Sequence, residues 1–234
     1  TWQWNKKKRK ITNLGIRMKA IVLGGTSGIG KAIVNSLKKN CKKVVVAGRK
    51  QIDTTSIESV DEFIKKNKKP DILVLNTGGP PDIDFSKITN EVWIENFNKL
   101  FLSFANILKD IKVKKNGYIF LISSYVVIQP GTDLLMSSSI RTGFVSLFKS
   151  LSKINAKSKI SFINIAPGPI KTKRLINLLK KDKMSVKQFE KTLPGNNVPD
   201  PKEIGLFVEF VVKNKIKSFN GITIPFDSGL LDVI

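Results

Sequence analysis

A glycine-rich turn near the start of the chain has the residue types and spacing that bind a diphosphate. Residues 24–30 read Gly-Gly-Thr-Ser-Gly-Ile-Gly, between the apolar run 19–23 and a helical pattern. Glycine permits a tight turn and a close backbone approach, and the first N–H groups of a helix have no intrahelical partner. The diphosphate of a dinucleotide would therefore lie at this helix N-terminus. The predicted contacts are Gly25, Thr26, Ser27, Gly28, Ile29 and Gly30.

An arginine at the end of the next apolar run bears on which dinucleotide this would be. Gly48-Arg49-Lys50 follows the run 44–47. An acidic residue at such a strand end suits a ribose 2′-hydroxyl, whereas an arginine suits a 2′-phosphate. A guanidinium can donate two parallel hydrogen bonds to a phosphate, and no carboxylate at this strand end would repel it. The sequence therefore predicts NADP(H); the alternative is that Arg49 is simply a solvated strand-end side chain.

These two positions belong to a chain-wide alternation of buried-strand and helical patterns. Such alternation indicates βαβ units, and continuous apolar runs are typical of strands covered by helices on both faces. The runs lie at 19–23, 44–47, 72–75, 118–122, 160–164 and 222–224. Helices are predicted over 89–108 with Thr89 as the N-cap, over 134–153 and over 201–213. The predicted fold class is α/β, a Rossmann-type doubly wound, mostly parallel sheet of about seven strands flanked by helices.

Composition sets limits on domains, compartment and metal chemistry. Residues 1–17 contain a basic run and are predicted to be a basic N-terminal appendage, followed by a single NADP(H)-binding domain at 18–234. One cysteine excludes an intrachain disulfide, which favours a cytoplasmic location. No apolar run approaches the roughly 20 residues that span a bilayer, so no membrane partner is expected. The chain has no histidine, which excludes imidazole catalysis and a Cys/His zinc site; no metal is predicted.

The chain carries a large positive charge whose meaning depends on how the lysines are distributed. The formal net charge is +23, and clustered positive charge can indicate a polyanionic partner. Here the lysines are scattered, mostly near expected element ends, and no RNA-binding aromatic signature accompanies them. A solvated basic surface is favoured over a nucleic-acid partner. The lysine- and proline-containing segment 171–200 fits either a mobile flap over a crevice or an ordinary surface loop.

Five segments, in the right order over about 19–230, are similar to motifs of the short-chain dehydrogenase/reductase family. They are Gly25-x-x-Gly28-x-Gly30, Asn76-Thr77-Gly78-Gly79, Ile122-Ser123-Ser124, Pro167-Gly168-Pro169-Ile170-Lys171-Thr172 and 219–229. The resemblance implies NADP(H) or NAD(H) as cofactor and a ketone substrate such as a 3-oxoacyl group. It implies cofactor contacts at Asn76, Thr77, Gly78, Pro167, Gly168, Ile170 and Thr172, and an adenine contact at Asp53. Asp53 follows Arg49 so closely that the helix usually found between those strands must be absent.

The resemblance fails where the family does its chemistry. Family members reduce carbonyls with a serine, a tyrosine that donates the proton, a lysine four residues later and a supporting asparagine. Counted from Ser124, the tyrosine position is Ser137, the lysine position is Arg141 and the asparagine position falls near Leu100. An aliphatic hydroxyl is a weaker acid than a phenol by about 5 pKa units. Tyr125 is expected to point to the opposite side of an extended chain from Ser124.

The residues at these positions still suggest a site. Ser137 and Arg141 lie four apart on one helical face, and a guanidinium offers a planar fork for a carboxylate, phosphate or enolate oxygen. We predict that Ser124, Ser137 and Arg141 are catalytic and hold the developing oxyanion of a small-molecule substrate. The substrate can itself be anionic, and water would be the proton source. Alternatively, Arg141 binds the cofactor's ribose or an internal carboxylate.

Two other functions stay open. One is a catalytically weak NADP(H)-binding sensor or scaffold protein, and the other is a nucleic-acid binder that uses the basic surface. The family resemblance also implies a homo-oligomer, a tetramer or dimer packed through the helices at 89–108 and 134–153.

Overall fold

Six apolar segments pair into one parallel sheet in the computed structural model, which describes residues 18–233. The strands are β1 (Lys19–Leu23), β2 (Lys43–Ala47), β3 (Ile72–Leu75), β4 (Tyr118–Ile122), β5 (Ser161–Pro167) and β6 (Ile222–Phe226). Their order is β2-β1-β3-β4-β5-β6, and every neighbouring pair is parallel. The predicted α/β, Rossmann-type class is confirmed. The predicted appendage at 1–17 lies outside the described residues.

The sheet has six strands rather than the predicted seven or so, and the difference lies at the β2 edge. Only the turn at 48–52 separates β2 from Asp53, which leaves no room for a further helix and strand between them. β2 therefore forms the edge of the sheet. Each of the six apolar runs in the sequence corresponds to a strand.

Helices pack on both faces of the sheet. They are α1 (Gly28–Leu37), α2 (Ile57–Lys66), α3 (Asn90–Phe97), α4 (Ser103–Asp110), α5 (Leu135–Ile154), α6 (Lys173–Lys181), α7 (Val186–Glu190) and α8 (Pro201–Lys213). A π-helical segment, Asn98–Leu102, joins α3 to α4, so the predicted helix at 89–108 is continuous but locally widened. Thr89 caps α3 as predicted: its Oγ1 accepts from the Val92 N–H at 3.5 Å. None of the helices within 18–233 is both long and apolar enough for a membrane crossing.

Side chains that alternate along each strand pack into two separate apolar layers, one on each face of the sheet. Ile21 and Leu23 of β1 pack with α2, α4 and α5 through side chains such as Phe104. Ala20 and Val22 pack on the other face with α1 and α8. Because both faces are covered, alternation of polar and apolar residues is absent from the strands, as their continuous apolar sequences indicate.

The segment 171–200, for which the sequence left open a mobile flap over a crevice or an ordinary surface loop, is partly helical. It contains α6 and the short α7. Ser185 caps α7 with a complete capping box, in which its Oγ accepts from the Gln188 N–H. Buried Leu179 and Leu193 anchor the segment to the rest of the protein.

Candidate active site

A crevice of about 900 Å³ opens at the carboxyl ends of the strands. The chain order reverses between β1 and β3, and ligands of open α/β sheets bind at such a point. Most of the predicted site residues line this crevice: Thr26, Ser27, Gly28, Ile29, Arg49, Asp53, Asn76, Thr77, Gly78, Ser124, Ser137, Arg141, Pro167, Gly168, Ile170 and Thr172. The segments 26–29 and 167–172, which are distant in sequence, thus meet at one edge of the sheet.

Gly25 and Gly30 are the two predicted contacts that do not line the crevice. Both are buried inside the turn. A Cβ on Gly30 would overlap the Gly24 carbonyl oxygen and lie 2.7 Å from Asn76 Nδ2, and one on Gly25 would lie 3.0 Å from the Val22 carbonyl oxygen. These two glycines therefore let the turn fold tightly, while their neighbours face the crevice.

The turn before α1 leaves the helix N-terminus open toward the crevice. Ser27 occupies the N-cap position, yet its side chain makes no capping bond, and the first turn of α1 contains no acidic residue. Asn76 holds the turn in place, because its Nδ2 donates to the Leu23 and Gly24 carbonyl oxygens, each at 3.3 Å. An N-terminus without a competing side chain fits the diphosphate of a dinucleotide.

Arg49 and Asp53 lie together at the end of β2. Arg49 is exposed and lines the crevice. Asp53 Oδ1 accepts from the N–H of Thr55 at 2.9 Å and from its hydroxyl at 2.7 Å. These bonds lower the pKa of Asp53, with smaller contributions from the charges of Lys99 and Arg49. The carboxylate of Asp53 is thus held by its own turn.

Ser137 and Arg141 do share one face of α5, and both are buried. Arg141 Nε donates to Ser137 Oγ at 3.2 Å, and its Nη1 donates to the Ile122 carbonyl oxygen at 3.3 Å. Burial, followed by the charge of Arg174, lowers the pKa of Arg141 to about 10, so the group stays protonated at neutral pH. No carboxylate within residues 18–233 forms an ion pair with Arg141.

Three cations that line this crevice, Lys99, Lys173 and Arg174, are absent from the sequence-based site. Lys99, in the π-helical segment, and Arg174, in the first turn of α6, both line it. Arg174 Nη2 donates to the Pro80 carbonyl oxygen at 3.0 Å, which links α6 to the loop after β3. Burial lowers the pKa of Lys99 despite the opposing charge of Glu95. Lys99 directly precedes the position of the family's asparagine, and Arg174 follows Thr172 by two residues. Their nearness to these motif positions was the signal in the sequence that could have identified them as site residues.

Tyr125 also differs from expectation. It lines the crevice, although it was expected to point away from Ser124. The expectation assumed an extended chain, whereas Tyr125–Val127 form a 3₁₀ turn, in which side chains do not alternate between two faces. Burial, with a smaller effect of Asp133, raises the pKa of Tyr125.

A parallel α/β sheet with a glycine turn, an open helix N-terminus and a crevice at its switch point defines a Rossmann-type nucleotide-binding protein. The family model described as enoyl-(acyl carrier protein) reductase matches residues 24–231. The chain belongs to the short-chain dehydrogenase/reductase family, a family of oxidoreductases that bind nicotinamide cofactors.

Individual relatives match nearly the whole chain at low identity. The uncharacterized oxidoreductase YvaG of Bacillus subtilis (strain 168) is 24% identical over 251 residues, covering 91% of this chain and 95% of YvaG. The 3-oxoacyl-[acyl-carrier-protein] reductase FabG of Rickettsia prowazekii (strain Madrid E) is 26% identical over 240 residues, covering 92% and 97%. The crystal structure of L-sorbose reductase from Gluconobacter frateurii, complexed with NADPH and L-sorbose, superposes with a TM-score of 0.83 at 20% identity, covering 95% and 100%.

Proposed function

We propose that this protein is an NADP(H)-dependent oxidoreductase that reduces a ketone such as a 3-oxoacyl group. One observation carries the proposal: a single crevice joins the glycine turn and Arg49 at one end to Ser124, Ser137 and Arg141 at the other. The similarity to FabG supports the substrate class, and the similarity to an NADPH-bound reductase supports the cofactor.

The chain's own groups would hold the cofactor along the length of the crevice. The first N–H groups of α1 would bind the diphosphate, and Arg49 would bind the 2′-phosphate. Asp53 would contact the adenine, and Asn76, Thr77 and Gly78, which also line the crevice, would contact the cofactor between its two ends. Pro167 ends β5, and together with Gly168, Ile170 and Thr172 it would hold the nicotinamide end. When bound, the dinucleotide supplies a hydride.

Three side chains would act on the substrate. Ser124 and Ser137 present hydroxyl donors to the crevice, and Arg141 presents a buried positive charge. Positioned donors and a fixed charge stabilise an oxyanion most where water is excluded. Ser137 is too weak an acid to replace a phenol, and a guanidinium keeps its proton at neutral pH, so in this proposal the substrate oxygen takes its proton from water.

The 2′-phosphate contact provides the direct test. We expect Arg49→Ala to weaken NADPH binding by about 10- to 100-fold, because it removes charge-assisted hydrogen bonds of roughly 1.5–3 kcal/mol. NADH, which lacks the 2′-phosphate, should bind the variant and the wild type alike. Lys50→Ala is the matched control, since Lys50 is exposed, adjacent and outside the crevice lining. Calorimetry with both nucleotides gives the four affinities; an equal loss for NADPH and NADH would contradict the assignment of Arg49.

A second function, a catalytically weak NADP(H)-binding sensor or scaffold, is favoured by the presence of Ser137 and Arg141 in place of tyrosine and lysine. The two functions share the cofactor site and differ in turnover. NADPH absorbance would be followed with a panel of ketones, 3-oxoacyl thioesters and oxo acids. Tight NADPH binding without consumption of NADPH would favour the sensor or scaffold.

We also propose that the protein is a homo-oligomer, a tetramer or dimer, packed through α3 and α5. Ile94 and Phe97 of α3 and Leu135 of α5 are large apolar side chains that are 60%, 40% and 40% exposed. A second copy of the chain would cover them and stabilise the assembly by removing apolar surface from water.

A further inference from the structure

Three cations from three different elements line the crevice. They are Lys99 of the π-helical segment, Arg141 of α5 and Arg174 of α6. Arg141 is 7% exposed and Lys99 is half-buried, while the guanidinium of Arg174 packs against the loop at Gly79 and Pro80. The charges of Arg49, Arg174 and Arg141 all act on Lys99, and that of Arg174 acts on Arg141, so Lys99, Arg141 and Arg174 lie within electrostatic range of one another.

These charges are not neutralised by the protein. Among residues 18–233, no carboxylate forms an ion pair with any of the three. Glu95 faces Lys99 but is itself exposed, and Asp53 is already engaged by Thr55. Of the three, Arg141 is buried, Lys99 is half-buried and Arg174 is exposed, so the cost of like-charge repulsion and lost hydration falls mainly on Arg141 until an anion binds.

The protein's hydrogen bonds leave donors of this cluster available. Arg141 has five N–H donors, of which Nε and Nη1 each make one bond to the protein. Arg174 makes one described bond, to the Pro80 carbonyl oxygen. No described group accepts a hydrogen bond from the Lys99 ammonium. Guanidinium groups with free parallel donors match the two oxygens of a carboxylate or the oxygens of a phosphate.

The cofactor's phosphates have a separate place in the proposed function. The glycine turn and Arg49 would hold them, whereas Arg141 is fixed to the end of β4 through Ile122 and lies beside Ser137. Arg141 therefore lies where the carbonyl substrate would bind, whereas Lys99 also lies within electrostatic range of Arg49. An uncharged ketone would leave the positive charges of these cations without a partner.

We infer that the substrate carries an anionic group, a carboxylate or a phosphate, close to its carbonyl, and that Lys99, Arg141 and Arg174 bind this group together with the developing oxyanion. This inference rests on the proposed function and narrows its substrate class to free oxo acids or phosphorylated ketones. A 3-oxoacyl thioester has no such charge next to its carbonyl.

Two pairs of ligands that differ in charge test the inference without turnover. With NADP⁺ bound, a ketone cannot be reduced, so calorimetry measures its binding alone. The pairs are acetoacetate against its methyl ester, and dihydroxyacetone phosphate against dihydroxyacetone. We expect the charged member of at least one pair to bind at least about 10-fold tighter, as charge-assisted hydrogen bonds of roughly 1.5–3 kcal/mol imply. The pair whose charged member binds tighter shows whether the anionic group is a carboxylate or a phosphate.

Variants then assign the effect to the cluster. Arg174→Gln and Lys99→Gln should each reduce the charged-to-neutral preference by about 10-fold or more, in binding to the NADP⁺ complex and in kcat/KM with NADPH. Lys180→Gln is the matched control, because it removes one positive charge from α6 at an exposed position outside the crevice lining. The control should keep the preference of the wild type.

The outcomes that overturn the inference are distinct from failure of the proposed function. Equal binding of both members of both pairs overturns the inference, while NADPH consumption with a neutral ketone leaves the proposed function standing. The inference also fails if Arg174→Gln and Lys99→Gln weaken NADP⁺ binding but leave the preference unchanged, since the cations would then serve the cofactor. Absence of any NADP⁺ binding overturns both.

Discussion

The Ser137–Arg141 pair decides how a proton can reach the substrate. Arg141 Nε donates to Ser137 Oγ, which fixes the serine hydroxyl oxygen beside a buried cation. A nearby positive charge favours the ionised form of a hydroxyl, yet an aliphatic alcohol starts about 5 pKa units above a phenol. The pair is therefore suited to stabilising negative charge on a substrate oxygen rather than to donating a proton.

Placing a phenol at position 137 should add the missing proton donor. We expect the double variant Ser137→Tyr/Arg141→Lys to raise kcat by at least about 10-fold, because a positioned general acid contributes roughly 10²–10⁴-fold. The measurement is NADPH consumption at saturating ketone. Ser137→Phe/Arg141→Lys has almost the same bulk without the hydroxyl, and it should gain nothing. Equal rates for the tyrosine and phenylalanine variants would show that water delivers the proton efficiently or that proton delivery does not limit the rate.

Residues of the site were predictable from sequence where they belong to a local motif. The glycine turn, Asn76 and Pro167–Thr172 each follow a strand, and parallel strands bring their carboxyl ends to one edge. Lys99 and Arg174 belong to no motif, because their place in the crevice depends on the path of the π-helical segment and on α6 reaching the loop after β3. Contacts between such distant parts of the chain leave no periodic signal.

At the scale of the element, the turn before α1 shows that a cofactor motif also has a packing role. Gly24 and Gly28 have positive φ values of 60° and 50°, a backbone conformation that L-residues with a side chain disfavour. Gly30 has no such requirement, yet its lack of a Cβ lets the Gly24 carbonyl and the Asn76 side chain approach the first turn of α1. The turn and the loop after β3 are thus held at a fixed distance.

Glycine-to-alanine substitution should have opposite effects at two helical positions. Gly30→Ala places a methyl group against backbone, so we expect unfolding free energy to fall by about 1–3 kcal/mol and NADPH binding to weaken. Gly143, in α5, is exposed, and its Cβ would meet Phe101 at an ordinary 3.6 Å. Gly143→Ala should therefore add about 0.5–1 kcal/mol. Thermal unfolding of both variants with and without NADPH checks this; stabilisation by both substitutions would refute the packing role of Gly30.

The elements were predictable to different degrees. All six apolar runs are strands, because a strand covered on both faces must be apolar throughout. The predicted count of about seven exceeded the six runs, and the short turn at 48–52 leaves no room for a further strand between β2 and Asp53. The segment 171–200 was not assigned as helical, since α6 has polar residues on most of its surface and α7 is only five residues long. Short amphipathic helices depend on tertiary packing for their stability.

For the whole molecule, net charge and exposed apolar surface act against each other. The chain has a formal net charge of +23, so two copies repel each other at low ionic strength. Large apolar side chains nevertheless remain exposed on several helices, among them Ile94 and Phe97 on α3, Leu135 on α5, and Leu206 and Phe210 on α8. Burying such surface between copies would favour assembly. The balance between the two effects depends on salt.

Assembly of the full chain should therefore strengthen as salt increases. From about 0.1 M to about 1 M salt the Debye length falls from roughly 10 Å to 3 Å, which screens the repulsion and leaves apolar burial intact. Sedimentation velocity should show a larger share of dimer or tetramer at the higher salt concentration. The double variant Ile94→Gln/Phe97→Gln should shift the protein toward monomer without altering its charge. Phe85→Gln, at a phenylalanine that is 67% exposed and lies outside α3 and α8, should not have this effect.

If Leu206→Gln/Phe210→Gln disperses the assembly and the α3 variant does not, copies associate through α8. The interface predicted from the helices at 89–108 and 134–153 is then wrong. Assembly that weakens as salt increases would instead indicate that ion pairs, rather than apolar contacts, hold the copies together.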